Sequence, residues 1–397
     1  MLVNATSQNN AGPEASVELD PKMLGGYKTA EKFRKLIDQK LKARMAWQIH
    51  PSELDARRKF TAKNYFTLLL FALYNPVLKS MRALVAACEL EKVQQQLGIG
   101  EISLGSFSES QTIFDPELLR ELFQDLSEHI AFKPKASDQR LEVFVEKMIA
   151  VDGSLFDALP RMTWAVYQPE NGNHKVKLHL AFEALRGGIA DAEITPGNEC
   201  ERKALKKMIH KGKLYVGDRY YGLEYAYFEC FVKKQADFII RIRNNPQYEV
   251  QESLELNQQS RDYGVIRDER IRFGNAPDDA VWRLVCIERD GHTFKLLSNR
   301  MDIDADLIGI LYRYRWEVEL FFKWLKCILG CGHLILESPQ GVSAQIYTAL
   351  ILALLLSNLT GEKPNKRQME AIQLHLLGYV SDEELEKILL RKKSTRG

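Results

Sequence analysis

The 397-residue sequence predicts an α/β fold: a mixed five-stranded sheet with flanking helices, interrupted by a β-rich insertion and preceded by an all-helical domain. Three observations predict it. Apolar residues have helical spacing in the first third, short apolar runs alternate with helical segments in the middle, and strand-like alternation fills residues 248–299. A composition of 45% hydrophobic and 27% charged residues is typical of a globular chain of two or three domains.

The N-terminal third is predicted to be a polar tail followed by helices. Residues 1–20 are rich in Asn, Ser, Gln and Pro and are predicted to be disordered. Residues 21–140 are predicted to form a helical domain. Between Lys22 and Lys63, twelve Lys and Arg residues face four Asp and Glu residues. Such a segment suits a phosphate backbone or another anionic surface, and a solvated helix face is the alternative.

Residues 141–245 have the pattern of the first part of a sheet-based core. Short apolar runs predict five strands, and helices are expected over residues 199–210 and 223–235. The predicted strands cover residues 148–151, 176–185, 188–195, 213–217 and 237–242. The first and fourth of them are followed directly by Asp152 and Asp218, so two strand ends present carboxylates.

The rest of the chain is predicted to leave the core and return to it. Residues 246–300 form the β-rich insertion, residues 301–362 complete the core, and residues 363–397 form a C-terminal helical segment. The longest apolar run, Ala349 to Leu356, is short for a membrane span, which needs about 20 residues. The six cysteines include no CxxC pair, which favours reduced thiols and a cytoplasmic location over a zinc site.

One helix, predicted over Leu311 to Gly330, has an unusual polar stripe. On a helical wheel the stripe spans roughly 60° and the remaining surface is mostly apolar, which predicts a buried helix. Its members are Tyr312, Arg315, Glu319 and Lys326, with Lys323 at its edge. A buried charge costs roughly several kcal/mol unless it is paired, bound to a metal or used in the function of the protein. A core helix in which Arg315 and Lys326 neutralise Glu319 is the alternative.

Together, the two strand-end aspartates and the helix glutamate suggest a metal site. Asp152, Asp218 and Glu319 would supply oxygen ligands, which suit Mg²⁺ or Mn²⁺. Two such ions, about 3.5–4 Å apart, can promote phosphodiester transfer. The cationic and phenolic groups of the stripe would then bind DNA phosphates. Asp191 is a second choice for a ligand, whereas Asp157 is expected in a loop.

The stripe also carries a family resemblance. Tyr312-x2-Arg315-x3-Glu319-x6-Lys326 resembles the YREK signature of bacterial insertion-sequence transposases of the DDE class (insertion-sequence family four), with all four residues and all three spacings matching. The resemblance covers about residues 148–359. It implies an RNase H-like catalytic core, a β domain inserted between the second Asp and the Glu, and an N-terminal helical region that helps to bind transposon ends.

The resemblance also implies a role for each site residue. The catalytic and metal-binding residues would be Asp152, Asp218 and Glu319. The DNA-binding residues would be Tyr312, Arg315 and Lys326, and further candidates are Lys323, Arg219 and Trp282. Arg219 could instead pair with an acid, and Trp282, the sole Trp of the insertion, suits either stacking on a flipped base or the core. Family members often have Asp-Arg-Gly-Tyr after the second strand, whereas here Gly222 is displaced beyond two tyrosines.

The sequence therefore predicts a cut-and-paste DNA transposase that uses two Mg²⁺ or Mn²⁺ ions. Its expected partners are double-stranded DNA, as transposon terminal inverted repeats and as target, and a second copy of the chain in a homodimer on DNA. No membrane partner is expected, and the expected location is the bacterial cytoplasm, in association with the nucleoid. The alternatives are a metal-dependent nuclease on the same core and a non-catalytic DNA-binding relative.

Overall fold

The computed structural model describes residues 26–390, apart from residues 45–48, 76, 131, 133, 135–137, 225–226, 244–245, 275–280 and 377. The predicted polar tail of residues 1–20 lies outside the described residues.

The N-terminal region is helical, as predicted. Its helices are α1 (Gly26–Ala43), α2 (Ala62–Tyr74), α3 (Met81–Ala87), α4 (Glu91–Leu97), α5 (Leu104–Ile113) and α6 (Glu117–His129). Side-chain caps fix where several of them begin. The Ser80 and Ser103 hydroxyls accept hydrogen bonds from backbone N–H groups in the first turns of α3 and α5. Asp115 accepts from the Glu117 N–H at 2.9 Å and so caps the start of α6.

The sheet has ten strands and mixed direction. They are β1 (Met148–Asp157), β2 (Val166–Gln168), β3 (Asn173–Glu183), β4 (Gly188–Pro196), β5 (Leu214–Gly217), β6 (Asp237–Arg241), β7 (Glu249–Ser253), β8 (Val265–Arg272), β9 (Trp282–Arg289) and β10 (His292–Ser298). The spatial order is β2-β3-β1-β5-β6-β10-β9-β8-β7, with β4 also paired to β3. The β1–β5 and β5–β6 pairs are parallel, and antiparallel pairs flank them on both sides.

The five predicted core strands are β1, β3, β4, β5 and β6, and they are neighbours in the sheet. The insertion is continuous with this sheet, because β10 pairs with β6 and so adds the four strands β7 to β10. With β2, which pairs with β3, they bring the five predicted strands to ten. The unpaired N–H and C=O groups along the edge of β6 need partners, and β10 supplies them. Strand β1 is also longer than predicted, since its pairing with β3 continues to Asp157 after β5 has ended. Asp152 therefore lies within a strand.

The helices after β4 pack around this sheet. They are α7 (Glu201–Met208), α8 (Glu229–Lys233), α9 (Gln258–Tyr263), α10 (Ala305–Tyr314), α11 (Trp316–Cys327), α12 (Pro339–Thr360), α13 (Lys366–Leu376) and α14 (Asp382–Leu390). The helix predicted over residues 311–330 is in fact two, α10 and α11. They join at Arg315, whose N–H donates to the Tyr312 carbonyl at 3.1 Å, one residue closer than in an α-helix.

Helix α12 is the centre of the larger core. It contacts α2, α5 and α6 of the N-terminal region as well as β4. The Tyr347 hydroxyl donates to the Ala192 carbonyl at 3.1 Å, and the Tyr347 ring lies 6.0 Å from that of Phe123. Residues 339–358 are long and apolar enough to cross a membrane, but 89% of their most apolar window is buried inside the protein. This burial identifies α12 as a core helix.

Candidate active site

The two aspartates occupy matching positions at adjacent parallel strands, Asp152 within β1 and Asp218 directly after the end of β5. Ala150 of β1 pairs with Val216 of β5, and each aspartate follows two residues later. Ala150 and Val216 both belong to the larger core cluster. Because side chains alternate along a strand, Asp152 and Asp218 project on that same face of the sheet. The Asp218 carboxylate also accepts a hydrogen bond from the Tyr220 N–H at 2.8 Å, which orients it.

The Asp152 carboxylate lies in an unfavourable electrostatic environment. Burial raises its pKa to about 7, and the negative charges of Glu201 and Asp218 act in the same direction. The hydrogen bond from the Gly153 N–H, 2.9 Å long, and the positive charge of Arg315 oppose that shift of the pKa without cancelling it. A divalent cation would relieve this excess of negative charge, and its preferred ligands are oxygen atoms.

Helix α11 brings the third carboxylate to the same face. The helix packs on β1, and its Phe321 ring lies 5.1 Å from the ring of Phe182 on β3. The Arg315 guanidinium donates to the Glu319 carboxylate at 2.5 Å. Arg315 also contributes positive charge at Asp152. It is therefore the cation shared by the first and third members of the predicted triad.

The other polar members of the stripe lie on either side of this pair. The Arg315 guanidinium lies 5.9 Å from the centroid of the Tyr312 ring, one turn earlier. At the far end, the Lys326 ammonium donates to the Leu155 carbonyl at 2.6 Å and lies 4.6 Å from the Phe156 ring centroid. Burial lowers the pKa of Lys326. In this arrangement Lys326 anchors the end of α11 to β1 instead of pairing with the stripe's carboxylate.

The prediction that this helix is buried is wrong for one of its sides. Trp316 is 55% exposed and Leu320 is 38% exposed, and Lys323 is also exposed. Helix α11 packs on β1 through its buried side, whereas the side that carries Trp316, Leu320 and Lys323 is exposed. Apolar character therefore does not separate the buried residues of α11 from its exposed ones. The large exposed Trp316 makes the exposed side, next to the candidate active site, a candidate contact surface.

A cavity of about 390 Å³ adjoins the stripe on this side. Its walls come from β6, β9, β10, α9, α10 and the start of α11. They include Arg241, Arg289, Phe294, Tyr312, Arg315 and Trp316. The Arg241 guanidinium lies 4.6 Å from the Phe294 ring centroid. Aromatic rings beside guanidinium groups suit the faces of bases and the charge of phosphates. Trp316 was not among the predicted site residues, although its place next to Arg315 was a usable signal.

Trp282 has a different environment from that cavity. It is 5% exposed, and its ring lies 5.5 Å from Phe238 and 6.3 Å from Phe228 in the smaller core on the other face of the sheet. This is the core alternative that the sequence left open. In this conformation the ring offers no open face to a flipped base.

The turn after β5 explains the displaced glycine. Tyr220 stands where the family pattern has Gly and is 39% exposed, while Tyr221 is buried. A Cβ atom at Gly222 would lie 2.4 Å from the Arg241 carbonyl oxygen, so the close approach of two backbone segments requires glycine at that position. Arg219 is exposed beside Asp218, where it is free to meet a ligand.

The alternative ligands are remote from the aspartate pair. Asp157 is exposed at the end of β1 and pairs with Lys175 at 2.6 Å, and Asp191 lies on β4, which does not border β5. Within the described ranges, no group of three or more His, Cys, Asp and Glu side chains is close enough to hold a metal ion. The donor chemistry of the aspartates fits a divalent ion, but completing the site with Glu319 requires that carboxylate to move.

Comparisons with known proteins agree with this geometry. Residues 144–356, more than half of the chain, match the model of the transposase DDE domain, so the chain belongs to that family. This confirms the predicted class and the RNase H-like, mixed α/β fold.

Individual relatives support the same assignment. The chain is similar to a probable transposase for insertion sequence element IS5377 of Geobacillus stearothermophilus, with 28% identity over 200 residues, which are 49% of this chain and 52% of that protein. It is also similar to the transposase for insertion sequence element IS421 of Escherichia coli, with 22% identity over 237 residues, 49% of this chain and 63% of that protein. The chain thus spans about half the length of the first of these relatives.

Proposed function

We propose that the protein is a DNA transposase that cuts and joins DNA by metal-dependent phosphodiester transfer. The observation that carries the proposal is the juxtaposition of Asp152 on β1 and Asp218 directly after the adjacent parallel strand β5, on the face covered by the helix that presents Glu319. Membership of the DDE transposase family supports it.

Two of the three carboxylates would bind the metal ions directly, and the third would join them after a rearrangement. Asp152 and Asp218 would hold Mg²⁺ or Mn²⁺, as two ions in the complete site, and Glu319 would join them after releasing Arg315. Bound divalent ions would lower the pKa of an attacking water and stabilise the leaving oxygen. Arg315, freed from Glu319, would bind a phosphate of the DNA strand, for which the planar guanidinium is well suited.

The DNA-contacting groups would surround this centre. Tyr312 would donate a hydrogen bond to the strand that Arg315 binds, and Lys323 and Arg219, both exposed, would contact its phosphates. Lys326 would hold α11 in place through the Leu155 carbonyl, and the exposed part of its side chain would contact DNA. The cavity beside Trp316 would receive a base next to the scissile bond.

The reaction would proceed in two transfers without a covalent protein intermediate. Water attacks a phosphodiester at the element's end and releases a 3′-OH, which then attacks a second phosphodiester, on the opposite strand or in target DNA. The DNA partners would be terminal inverted repeats, bound with help from the N-terminal helices, and target DNA. Bringing two ends together would require a homodimer on DNA. The reaction would take place in the bacterial cytoplasm.

The test is cleavage and joining of labelled DNA carrying the element's own ends, with Mg²⁺. Glu319→Gln is expected to abolish both products, because it removes a metal ligand while preserving shape. Glu317→Gln, the same change on another side of the same helix, is the matched control and is expected to retain both. Cutting without joining in the wild type would indicate a nuclease, and full activity of Glu319→Gln would refute the assignment of the triad.

A further inference from the structure

A fourth carboxylate, that of Glu201, lies against the backbone next to Asp152. Glu201 is in the first turn of α7, which covers the opposite face of the sheet from α11. A Cβ atom added at Gly153 would lie 2.8 Å from both Cδ and Oε1 of Glu201. A Cβ atom at this position would therefore displace the Glu201 carboxylate from its place. The glycine after Asp152 lets Glu201 approach the backbone of β1 closely.

Glu201 is held in place by a buried cation. The Lys177 ammonium lies 3.6 Å from Glu201 Oε1 and donates to the Glu199 carbonyl at 2.9 Å. The Lys177 and Glu201 side chains are only 10% and 16% exposed. A carboxylate so poorly solvated stays charged only with a partner of this kind. Lys177 therefore fixes the position of the Glu201 carboxylate beneath the site.

Glu201 also contacts the turn that carries the second aspartate. The Tyr221 hydroxyl interacts with the Glu201 carboxylate and lowers its pKa, and Tyr221 is 2% exposed. The Tyr221 N–H donates to the Asp218 carbonyl at 3.3 Å. One carboxylate therefore supports the backbone beside Asp152 and, through Tyr221, the backbone of Asp218.

We propose that Glu201 is a positioning residue that sets the spacing of Asp152 and Asp218 for the divalent cation. This inference rests on the proposed function, because it concerns the same metal site. Residues that support metal ligands from behind typically contribute 10–100-fold to metal affinity. If Glu201 served only the stability of α7, its removal would leave metal affinity unchanged in the folded protein.

The experiment measures the Mn²⁺ affinity of the metal-free full-length protein by calorimetric titration, at a temperature where every variant is folded. Glu201→Gln is expected to weaken Mn²⁺ binding at least about 10-fold and to recover DNA cleavage at raised Mn²⁺ concentration. Glu199→Gln is the matched control, since Glu199 lies two residues away and its side chain pairs only with Lys203 at 3.8 Å among the described residues. It is expected to bind Mn²⁺ like the wild type.

Further variants keep the test decisive. Asp152→Asn must lose Mn²⁺ binding, which identifies the titrated site. A folded Glu201→Gln variant with wild-type Mn²⁺ affinity overturns the inference. If Glu201→Gln does not fold, Tyr221→Phe decides, because it removes only the hydroxyl that joins Glu201 to the second turn, and unchanged affinity there overturns the inference as well. A wild type that neither binds Mn²⁺ nor cleaves DNA would instead refute the proposed function.

Discussion

At the scale of single residues, the surroundings of Asp152 disfavour its negative charge and raise its pKa. Its carboxyl group is poorly solvated and lies near the negative charges of Glu201 and Asp218, and these effects raise its pKa to about 7. In an unfolded chain the pKa of an aspartate is about 3.9. Between these two values the folded protein binds a proton that the unfolded chain releases, so the folded state of the metal-free protein loses stability as the pH rises.

This difference gives a prediction for Asp152→Asn. Relative to this variant, the metal-free wild type is expected to lose about 1.4 kcal/mol of unfolding free energy per pH unit between roughly pH 4 and 7. The loss levels off above the folded-state pKa. Urea unfolding of both proteins in EDTA, from pH 5 to 8, measures it. A difference in unfolding free energy that is constant over this range would show that Asp152 titrates normally.

At single residues, the sequence indicates candidates where side-chain spacing decides position. Asp152 and Asp218 are candidates because each follows an apolar run, and Glu319 because it lies in a polar stripe. Glu201 is not a candidate, since it stands at the start of a basic helix that the sequence gives no reason to place behind the site. Its proximity depends on how α7 packs across β1 and β3, which is a tertiary contact with no local pattern.

At the scale of secondary-structure elements, a buried ion pair connects the insertion to the segment that leads into α10. Arg283 of β9 donates to the Asp268 carboxylate of β8 at 2.9 and 2.7 Å, and both residues are 4% exposed. Arg283 also donates to the Ile303 carbonyl at 2.6 Å, just before α10 begins. The pair therefore helps to fix the direction of α10, which carries Tyr312 and leads into α11 at the candidate active site.

Breaking this pair is expected to be costly. Arg283→Met should lower the free energy of unfolding by about 3–5 kcal/mol, because it leaves the Asp268 carboxylate buried without a counter-charge. The double variant Asp268→Leu/Arg283→Met should recover much of that loss, since no isolated buried charge remains. Urea unfolding of the two single variants and the double variant measures the coupling. Equal destabilisation by Arg283→Met and by the double variant would contradict the ion-pair explanation.

Element boundaries were predicted less well than element types. The pattern over residues 311–330 indicated a helix correctly, yet nothing in it marked the tightened turn at Arg315 that separates α10 from α11. Trp316 and Leu320 have the apolar character of core residues but face outward. Periodicity predicts that a face is apolar, whereas its burial depends on what packs against it.

At the scale of the whole molecule, the helical N-terminal region and the β-rich insertion both share structure with the rest of the fold. The insertion extends the central sheet through β10 and β6. The larger core includes residues from α1, the sheet and α14. Strand pairing at a sheet edge and the sharing of a core both depend on contacts between distant segments, which hydrophobic patterns along the chain do not specify.

This shared core predicts cooperative unfolding of the N-terminal helices and the catalytic sheet. Leu350 is fully buried in α12, the helix that contacts both. Leu350→Ala should lower the free energy of unfolding by about 2–5 kcal/mol, with α2, α6 and β4 losing protection together in hydrogen exchange under increasing urea. Leu374→Ala, the same substitution at a side chain 44% exposed, is the control and should cost less than about 0.5 kcal/mol. Exchange of α2 and α6 at lower urea than β4 would show instead that the helical region is an independent folding unit.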